Sequence, residues 1–181
     1  MFTIIDDKKR NVYNIIKSEY YNYIISNSIN RSDLSNNCNC LIKIIELVNI
    51  QYNSQYSAYY KIVADIIISP DINSLLDSAK YGDPFSKLIY FFSILKILLD
   101  DYLKDNEDKR NDINIIVNNI YIYLNNEQFI NELLKNETYI KYTEISEIIK
   151  IPDKLISKNN KHKTNCYFWI ILFIIGGIVS S

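Results

Sequence analysis

The chain has 181 residues, 48% of them apolar and 23% charged, a composition typical of a globular protein and not of a disordered one. Twenty basic and twenty-one acidic side chains leave a formal net charge of -1, without the basic excess that nucleic-acid-binding proteins use. Only three glycines and three prolines occur, too few for the many tight turns of a β-sandwich or a doubly wound fold. An all-α fold is the class that remains.

Isoleucine and asparagine dominate the sequence, with 36 and 23 copies, whereas arginine occurs three times. Their codons are rich in A and T, so we interpret the bias as a property of the genome. Individual Asn or Tyr residues therefore carry little weight as functional candidates. Because Ile and Tyr also raise β-propensity, the spacing of apolar residues has to decide the predicted secondary structure.

The N-terminal stretch Met1–Ile5 is too short for the apolar part of a secretory signal, and charged residues follow it instead of preceding it. We therefore expect a protein that is not secreted. The three cysteines, Cys38, Cys40 and Cys166, are odd in number and do not form a disulfide framework. We interpret Cys38 and Cys40 as reduced thiols near the start of a helix. Half of a metal site is the alternative, but a second pair and clustered histidines are missing.

Apolar residues recur at i, i+3, i+4 and i+7 through most of residues 1–150, which predicts a series of amphipathic helices around a shared core. Pro70 and Pro152 end two of them. In chain order the stripes are Val12, Ile15, Ile16, Tyr20, Tyr23 and Ile24; Leu41, Ile44, Ile45, Val48 and Tyr52; Tyr56, Tyr59, Tyr60, Val63, Ile66 and Ile67; Ile113, Ile116, Val117, Ile120 and Leu124; Phe129, Ile130, Leu133 and Leu134; and Ile145, Ile148 and Ile149.

Residues 85–99 differ from these stripes because they are apolar on nearly every side. Pro84 suits the first helical turn, and Asp83 can cap it. A helix that is hydrophobic all round belongs in the middle of a bundle. A second membrane span is the alternative, but Lys87 and Lys96 interrupt the segment and Asp100 with Asp101 closes it.

The C-terminal residues 166–179 contain no charged side chain. As a helix, the last 16 residues would span about 24 Å, slightly short of the ~30 Å hydrocarbon core. A basic segment with Lys161 and Lys163 precedes them, and Tyr167 and Trp169 sit where interfacial aromatic residues belong. We expect a tail anchor, and a buried core helix is the alternative. Its remaining predicted membrane residues are Ile170, Ile171, Leu172, Phe173, Ile174 and Ile175.

These patterns predict three segments: an all-α helical domain at 1–150, a basic linker at 151–164 and a membrane anchor at 165–181. With an anchor at this end, residues 1–164 would remain in the cytosol. A short span with a basic flank favours the mitochondrial outer membrane or the endoplasmic reticulum over the thicker plasma membrane. The physics of the sequence does not choose between these two.

The segment Asp77–Phe92, DSAKYGDPFSKLIYFF, is similar to the first homology motif of the Bcl-2 family, ELFxDGxNWGRIVAFF, and aligns with it without gaps. Gly82 matches the first glycine, Phe85 the tryptophan and Lys87 the arginine. Leu88-Ile89 matches the aliphatic pair, and the segment ends in the same two phenylalanines. The resemblance implies a Bcl-2-like helical bundle with a central hydrophobic helix, followed by a C-terminal transmembrane helix.

The departures are Pro84 at the motif's asparagine and Ser86 at its second glycine. Residues 125–134 occupy the place of the second motif without its Gly and Trp, and Leu41-x-x-x-Ile45-Glu46 is a loose match to the third. Such divergence in an A/T-biased chain resembles the poxviral Bcl-2-like apoptosis inhibitors of the myxoma, sheeppox, deerpox and tanapox type. The resemblance covers the whole chain in architecture, but only the Asp77–Phe92 segment in motif.

The resemblance implies a hydrophobic groove that takes the BH-3 helices of pro-apoptotic proteins such as Bim, Bak and Bax. Lys87 would meet the ligand's aspartate, and Ser86 would stand where a glycine lets the ligand backbone approach. A solvated surface charge is the alternative interpretation of Lys87. The implied apolar groove residues are Phe85, Leu88, Ile89 and Phe92 along the floor and Ile44, Ile45, Val48 and Tyr52 on one wall. For the wall, plain core packing is an equal interpretation.

The sequence offers no support for catalysis. His162 is the only histidine and lies in the basic linker, and no glycine-rich phosphate loop occurs. The acidic residues between Asp100 and Asp108 lack the spacing and the glycine of an EF-hand, so we interpret them as a solvated turn. We therefore expect no enzyme activity, no metal and no cofactor.

The expected function is inhibition of mitochondrial apoptosis in an infected host cell, at the outer membrane. A tail-anchored structural or trafficking protein is one alternative, although the prolines interrupt any long coiled coil. A Bcl-2-fold modulator of host innate immune signalling, acting through its outer surfaces, is the other. The sequence leaves open the preferred BH-3 ligand and a homodimer formed by exchange of the first helix.

Overall fold

The computed structural model describes residues 2–26, 29–51, 82–102, 108 and 110–148. Their regular secondary structure is entirely helical, as the sequence predicts, and no strand occurs among them. The helices are α1 (Phe2–Ile25), α2 (Asn36–Gln51), α3 (Pro84–Lys96), α4 (Arg110–Leu124), α5 (Glu127–Lys135) and α6 (Glu137–Ile148). A 3-10 turn at Arg31–Asp33 lies between α1 and α2.

Several predictions fall on residues outside these ranges. They are Tyr52, the stripe at 56–67 with Pro70, residues 77–81 of the motif-like segment, residues 103–107 of the acidic turn, Ile149, the linker at 151–164 and the anchor at 165–181. In the ranges that are described, no helix is both long enough and apolar enough to cross a membrane.

The chain forms two compact units. The first contains Met1–Glu46 together with Leu134–Ser181, and the second contains Leu47–Leu133. Helices α1 and α6 therefore belong to the first unit, and α3 and α4 belong to the second. Helices α2 and α5 each contribute residues to both.

In the first unit, α1 packs against α6. The predicted stripe on α1 is largely buried, and Tyr13, which the stripe omits, is buried as well. The Tyr139 hydroxyl on α6 donates a hydrogen bond of 2.9 Å to the Lys9 carbonyl oxygen on α1. At the surface, Lys8 Nζ lies 2.9 Å from Glu147 Oε2. Because the ion pair is exposed, we assign most of the stabilisation of this contact to the buried tyrosines.

The buried face of α6 contains polar residues that the predicted stripe omits, while Ile149 of that stripe and the side chain of Ile148 lie outside what the structure describes. Ile145 is only half-buried, whereas Tyr139, Tyr142, Thr143 and Ser146 are buried. These four residues have the spacing i, i+3, i+4 and i+7, so the helix itself is amphipathic as expected. The hydroxyl groups on this face can be buried at little cost in free energy because most of them form hydrogen bonds in the interior.

In the second unit, α3 packs against α4. Residues 88–95 are all buried, which covers every side of α3, as its apolar sequence predicts. The stripe on α4 is also buried at all five predicted positions. Three aromatic rings are in contact one after another in this unit. The ring centroids of Phe91 and Tyr123 are 4.7 Å apart, and those of Tyr123 and Phe129 are 5.1 Å apart. These contacts join α3, α4 and α5 within the unit.

The helical backbone that begins with α3 continues beyond residue 99, the predicted end of the apolar helix. The regular helix ends at Lys96, but the backbone continues as a π-helical turn over Ile97–Tyr102, through both acidic residues expected to close it. Ile97, Leu98 and Leu99 are buried. Their burial keeps this stretch folded against the core, so the two aspartates do not end the helical backbone where their charge alone would predict.

Candidate functional site

The start of α3 is fixed by the cap that the sequence predicts. Asp83 has extended backbone angles, and its Oδ1 accepts hydrogen bonds from the backbone N–H groups of Phe85 at 3.0 Å and Ser86 at 3.3 Å. The Ser86 hydroxyl donates to the other carboxylate oxygen of Asp83. Pro84 occupies the first turn, where its missing N–H costs no hydrogen bond. The carboxylate is therefore committed to the positive end of the helix.

Lys87 lies in this first turn and is half-buried. Its backbone N–H donates to the Asp83 carbonyl oxygen at 3.0 Å. Among the described residues, no carboxylate stands within ion-pair distance of its ammonium group. The ammonium group and the helix's positive end both favour an incoming anion, although Asp83 already offsets part of this field.

The four apolar groove candidates on α3, Phe85, Leu88, Ile89 and Phe92, are at most 4% exposed. Ser86 and Lys87 between them are half-buried. The exposed surface at this point is thus the Ser86–Lys87 pair, with the apolar side chains packed beneath it. A ligand that contacted these apolar side chains would have to displace what covers them.

The wall candidates lie on or beyond α2. Ile44 and Ile45 are buried in the first unit, which agrees with their alternative interpretation as core residues. Val48 is in the helical backbone of α2 and belongs to the second unit, and Tyr52 lies outside the described residues. The structure therefore groups the six α3 candidates on one helix end and leaves the wall prediction open.

A network of polar contacts fixes the connection between α1 and α2, and sequence reasoning missed it. Glu19 Oε2 accepts from the backbone N–H of Ser35 at 2.9 Å and from its hydroxyl at 2.5 Å. Arg31 Nη1 donates to Glu46 Oε1 at 2.9 Å. Asn39 Nδ2 donates to the Arg31 carbonyl oxygen at 2.8 Å. These contacts hold the 3-10 turn against α2, from Asn39 near its start to Glu46 in its second half.

The start of α2 is also tied to α6 inside the first unit. The Tyr142 hydroxyl donates to the Asn37 carbonyl oxygen at 2.6 Å, and the Ser146 hydroxyl donates to Asn37 Oδ1 at 2.8 Å. The Asn36 side-chain amide donates to the Ser146 carbonyl oxygen. Burial raises the pKa of Tyr142 well above its usual value, so its hydroxyl stays protonated as the donor. The sequence did not predict these hydrogen bonds, because Asn and Tyr are common throughout the chain and no single one of them stands out.

Cys38 and Cys40 are free, buried thiols in the first turns of α2, as predicted. Burial raises the pKa of Cys40 to about 12. Burial, followed by the nearby Glu19 carboxylate, also raises the pKa of Cys38, against a smaller opposing effect of Arg31. Because thiolates are the reactive form, both residues are poor nucleophiles at neutral pH.

The described residues contain no cluster of three or more His, Cys, Asp or Glu side chains suited to holding a metal ion. The site that the geometry leaves for consideration is therefore the capped start of α3, with Lys87 at its surface. Comparison with known protein families, with curated proteins and with solved structures finds no match to this chain.

Proposed function

We propose that this protein inhibits mitochondrial apoptosis by binding the BH-3 helices of pro-apoptotic proteins such as Bim, Bak and Bax. The observation that carries the proposal is the start of α3. Residues 84–92, the last part of the segment that resembles the first Bcl-2 homology motif, lie in a helix capped by Asp83, with Lys87 half-buried in its first turn. The proposed activity is binding alone, and it requires no catalytic group, metal or cofactor.

Lys87 gives this surface its polar selectivity. A BH-3 helix carries an aspartate beside its apolar face, and the Lys87 ammonium would form an ion pair with it. Lysine offers a point charge and not the planar fork of arginine, so the contact would specify geometry less strictly. The ion pair would be partly desolvated in a complex, which makes the loss of Lys87 cost about 2 kcal/mol.

The apolar part of the recognition requires a rearrangement. Phe85, Leu88, Ile89 and Phe92 are buried in the free protein, so a ligand helix would exchange existing apolar contacts for its own. Four leucine-sized ligand side chains supply roughly 6–12 kcal/mol before the cost of ordering the peptide. A free energy of that size leaves room for an opening step of a few kcal/mol.

The proposal predicts that Lys87→Glu weakens binding of a Bim BH-3 peptide to the full-length chain about 30-fold, the equivalent of about 2 kcal/mol. The matched control is Lys141→Glu, which makes the same charge change at an exposed position on α6. Isothermal titration in a mild detergent gives both affinities. If no BH-3 peptide binds wild-type protein below the tens-of-micromolar range, the proposed function is wrong.

We also propose that residues 165–181 anchor the protein in the mitochondrial outer membrane, with residues 1–164 facing the cytosol. The uncharged segment 166–179 and its basic flank support this. Fluorescence imaging should place the full-length chain on mitochondria and the 1–164 truncation in the cytosol. If the full-length protein were found on the endoplasmic reticulum, the proposed mitochondrial location would be wrong. If truncation left the distribution unchanged, the proposed anchor would be wrong.

A further inference from the structure

Helix α4 leaves an apolar stripe in solvent. Ile115 and Ile122 are 56% and 60% exposed, and Tyr121 is 39% exposed. Ile115 and Ile122 are seven residues apart, close to two helical turns, so they lie on one side of the helix. This side is opposite to the buried stripe, and the aromatic contacts of α4 within its unit do not cover it.

The rest of this exposed face is uncharged. From Asn111 to Asn125, every exposed residue is asparagine, isoleucine or tyrosine. The exposed face of α6 offers a contrast, since it carries Glu137, Lys141, Glu144 and Glu147. An asparagine amide both donates and accepts hydrogen bonds, so a face of Asn and Ile can pair with a copy of itself without charge repulsion.

The pattern on the face is close to symmetric about Asn118, with an offset of one residue for the isoleucines. Asn111 and Asn125 lie seven residues to either side of it, and Ile115 and Ile122 lie three and four residues away. In an antiparallel pair of α4 helices related by a two-fold axis at this point, each Ile115 would meet Ile122 of the second copy.

The charges at the two ends of the face fit the same arrangement. Arg110 is exposed at the first residue of α4, and Glu127 is exposed just after its last turn. An antiparallel pair would place Arg110 of each copy near Glu127 of the other, which is favourable at both ends. A parallel pair would instead bring like charges together.

We propose that α4 is a self-association face, on which two copies of this chain pack antiparallel with Asn118 at the two-fold axis. The face is about 22 Å long and about 10 Å wide. That is well below the ~800 Å² that each partner buries in a stable interface, so the dimer is weak and reversible. This surface lies outside the proposed BH-3 site and differs from an exchange of the first helix.

Cysteine cross-linking of the full-length chain in detergent tests the register directly. The background variant is Cys166→Ser, because the remaining thiols, Cys38 and Cys40, are buried and poorly reactive. Under mild oxidation, Asn118→Cys should form a disulfide-linked dimer several-fold faster than Asn111→Cys. A mixture of Asn111→Cys and Asn125→Cys chains should cross-link faster than either alone.

A pair of surface substitutions tests whether the apolar stripe drives the association. Adding Ile115→Glu and Ile122→Glu to the Asn118→Cys variant should reduce its cross-linking several-fold. Ile25→Glu, which replaces an exposed isoleucine on α1, should leave the yield unchanged. Equal yields at positions 111 and 118, or a yield that the α4 substitutions do not change, would overturn the proposal. So would a dimer whose two copies never cross-link through position 118.

Discussion

At the scale of single residues, Asp83 connects sequence to structure most directly. Its carboxylate accepts from two backbone N–H groups at the start of α3 and from the Ser86 hydroxyl. The sequence made this cap predictable because Asp before Pro, ahead of an apolar run, is a helix-start signal. The contacts of Glu19 with Ser35 and of Tyr142 with Asn37 were not predictable, because they join residues distant in the chain through types that are abundant everywhere.

The cap gives a prediction at this scale. Asp83→Ala should lower the free energy of unfolding by about 1 kcal/mol, because two helix N–H groups lose their acceptor, and Asp83→Asn should lower it by less. Urea unfolding of the full-length chain, followed by circular dichroism in a nonionic detergent, measures both.

The control for this prediction is Asp7→Ala, at an exposed position of α1. It should change the free energy of unfolding by no more than about 0.5 kcal/mol. Equal losses for Asp83→Ala and Asp7→Ala would show that the cap contributes nothing to the helix.

At the scale of the elements, apolar periodicity predicted the helices but not always their buried faces. The stripe on α4 is buried as predicted because Ile and Val positions there repeat without polar competitors. On α6, Tyr139, Tyr142 and Ser146 are buried although the predicted stripe omits them, because their hydroxyl groups reach hydrogen-bond partners elsewhere in the chain. Periodicity measures apolar surface, whereas burial of a polar residue depends on a partner that the local sequence does not reveal.

The exposed isoleucines of α4 also show that an apolar residue type does not by itself predict burial. Ile115 and Ile122 fall between the predicted core positions of their helix, and a chain with 36 isoleucines has to place some of them at the surface. Composition alone would scatter such residues singly. Their spacing on one uncharged face is what makes them candidates for an interface.

At the scale of the whole molecule, the small number of glycines and prolines made the helical structure of the described residues predictable from composition. The candidate site was predictable only in part. The sequence placed Phe85, Lys87 and their neighbours on one helix end and predicted that this helix is buried, whereas the resemblance to the Bcl-2 motif implied that Phe85, Leu88, Ile89 and Phe92 line an accessible groove. Whether these four side chains are covered in the free protein depends on how other segments of the chain pack against α3, which neither the local sequence nor the resemblance reveals.

The proposed function requires the start of α3 to bind the apolar face of a BH-3 helix. A Bim BH-3 peptide with a photoreactive residue next to its aspartate tests it on the full-length protein, with the cross-linked sites mapped by mass spectrometry. We predict saturable cross-links confined to residues 83–92, competed by unlabelled peptide and reduced by Lys87→Glu. Cross-links confined to residues 110–125, or none that saturate, would contradict it.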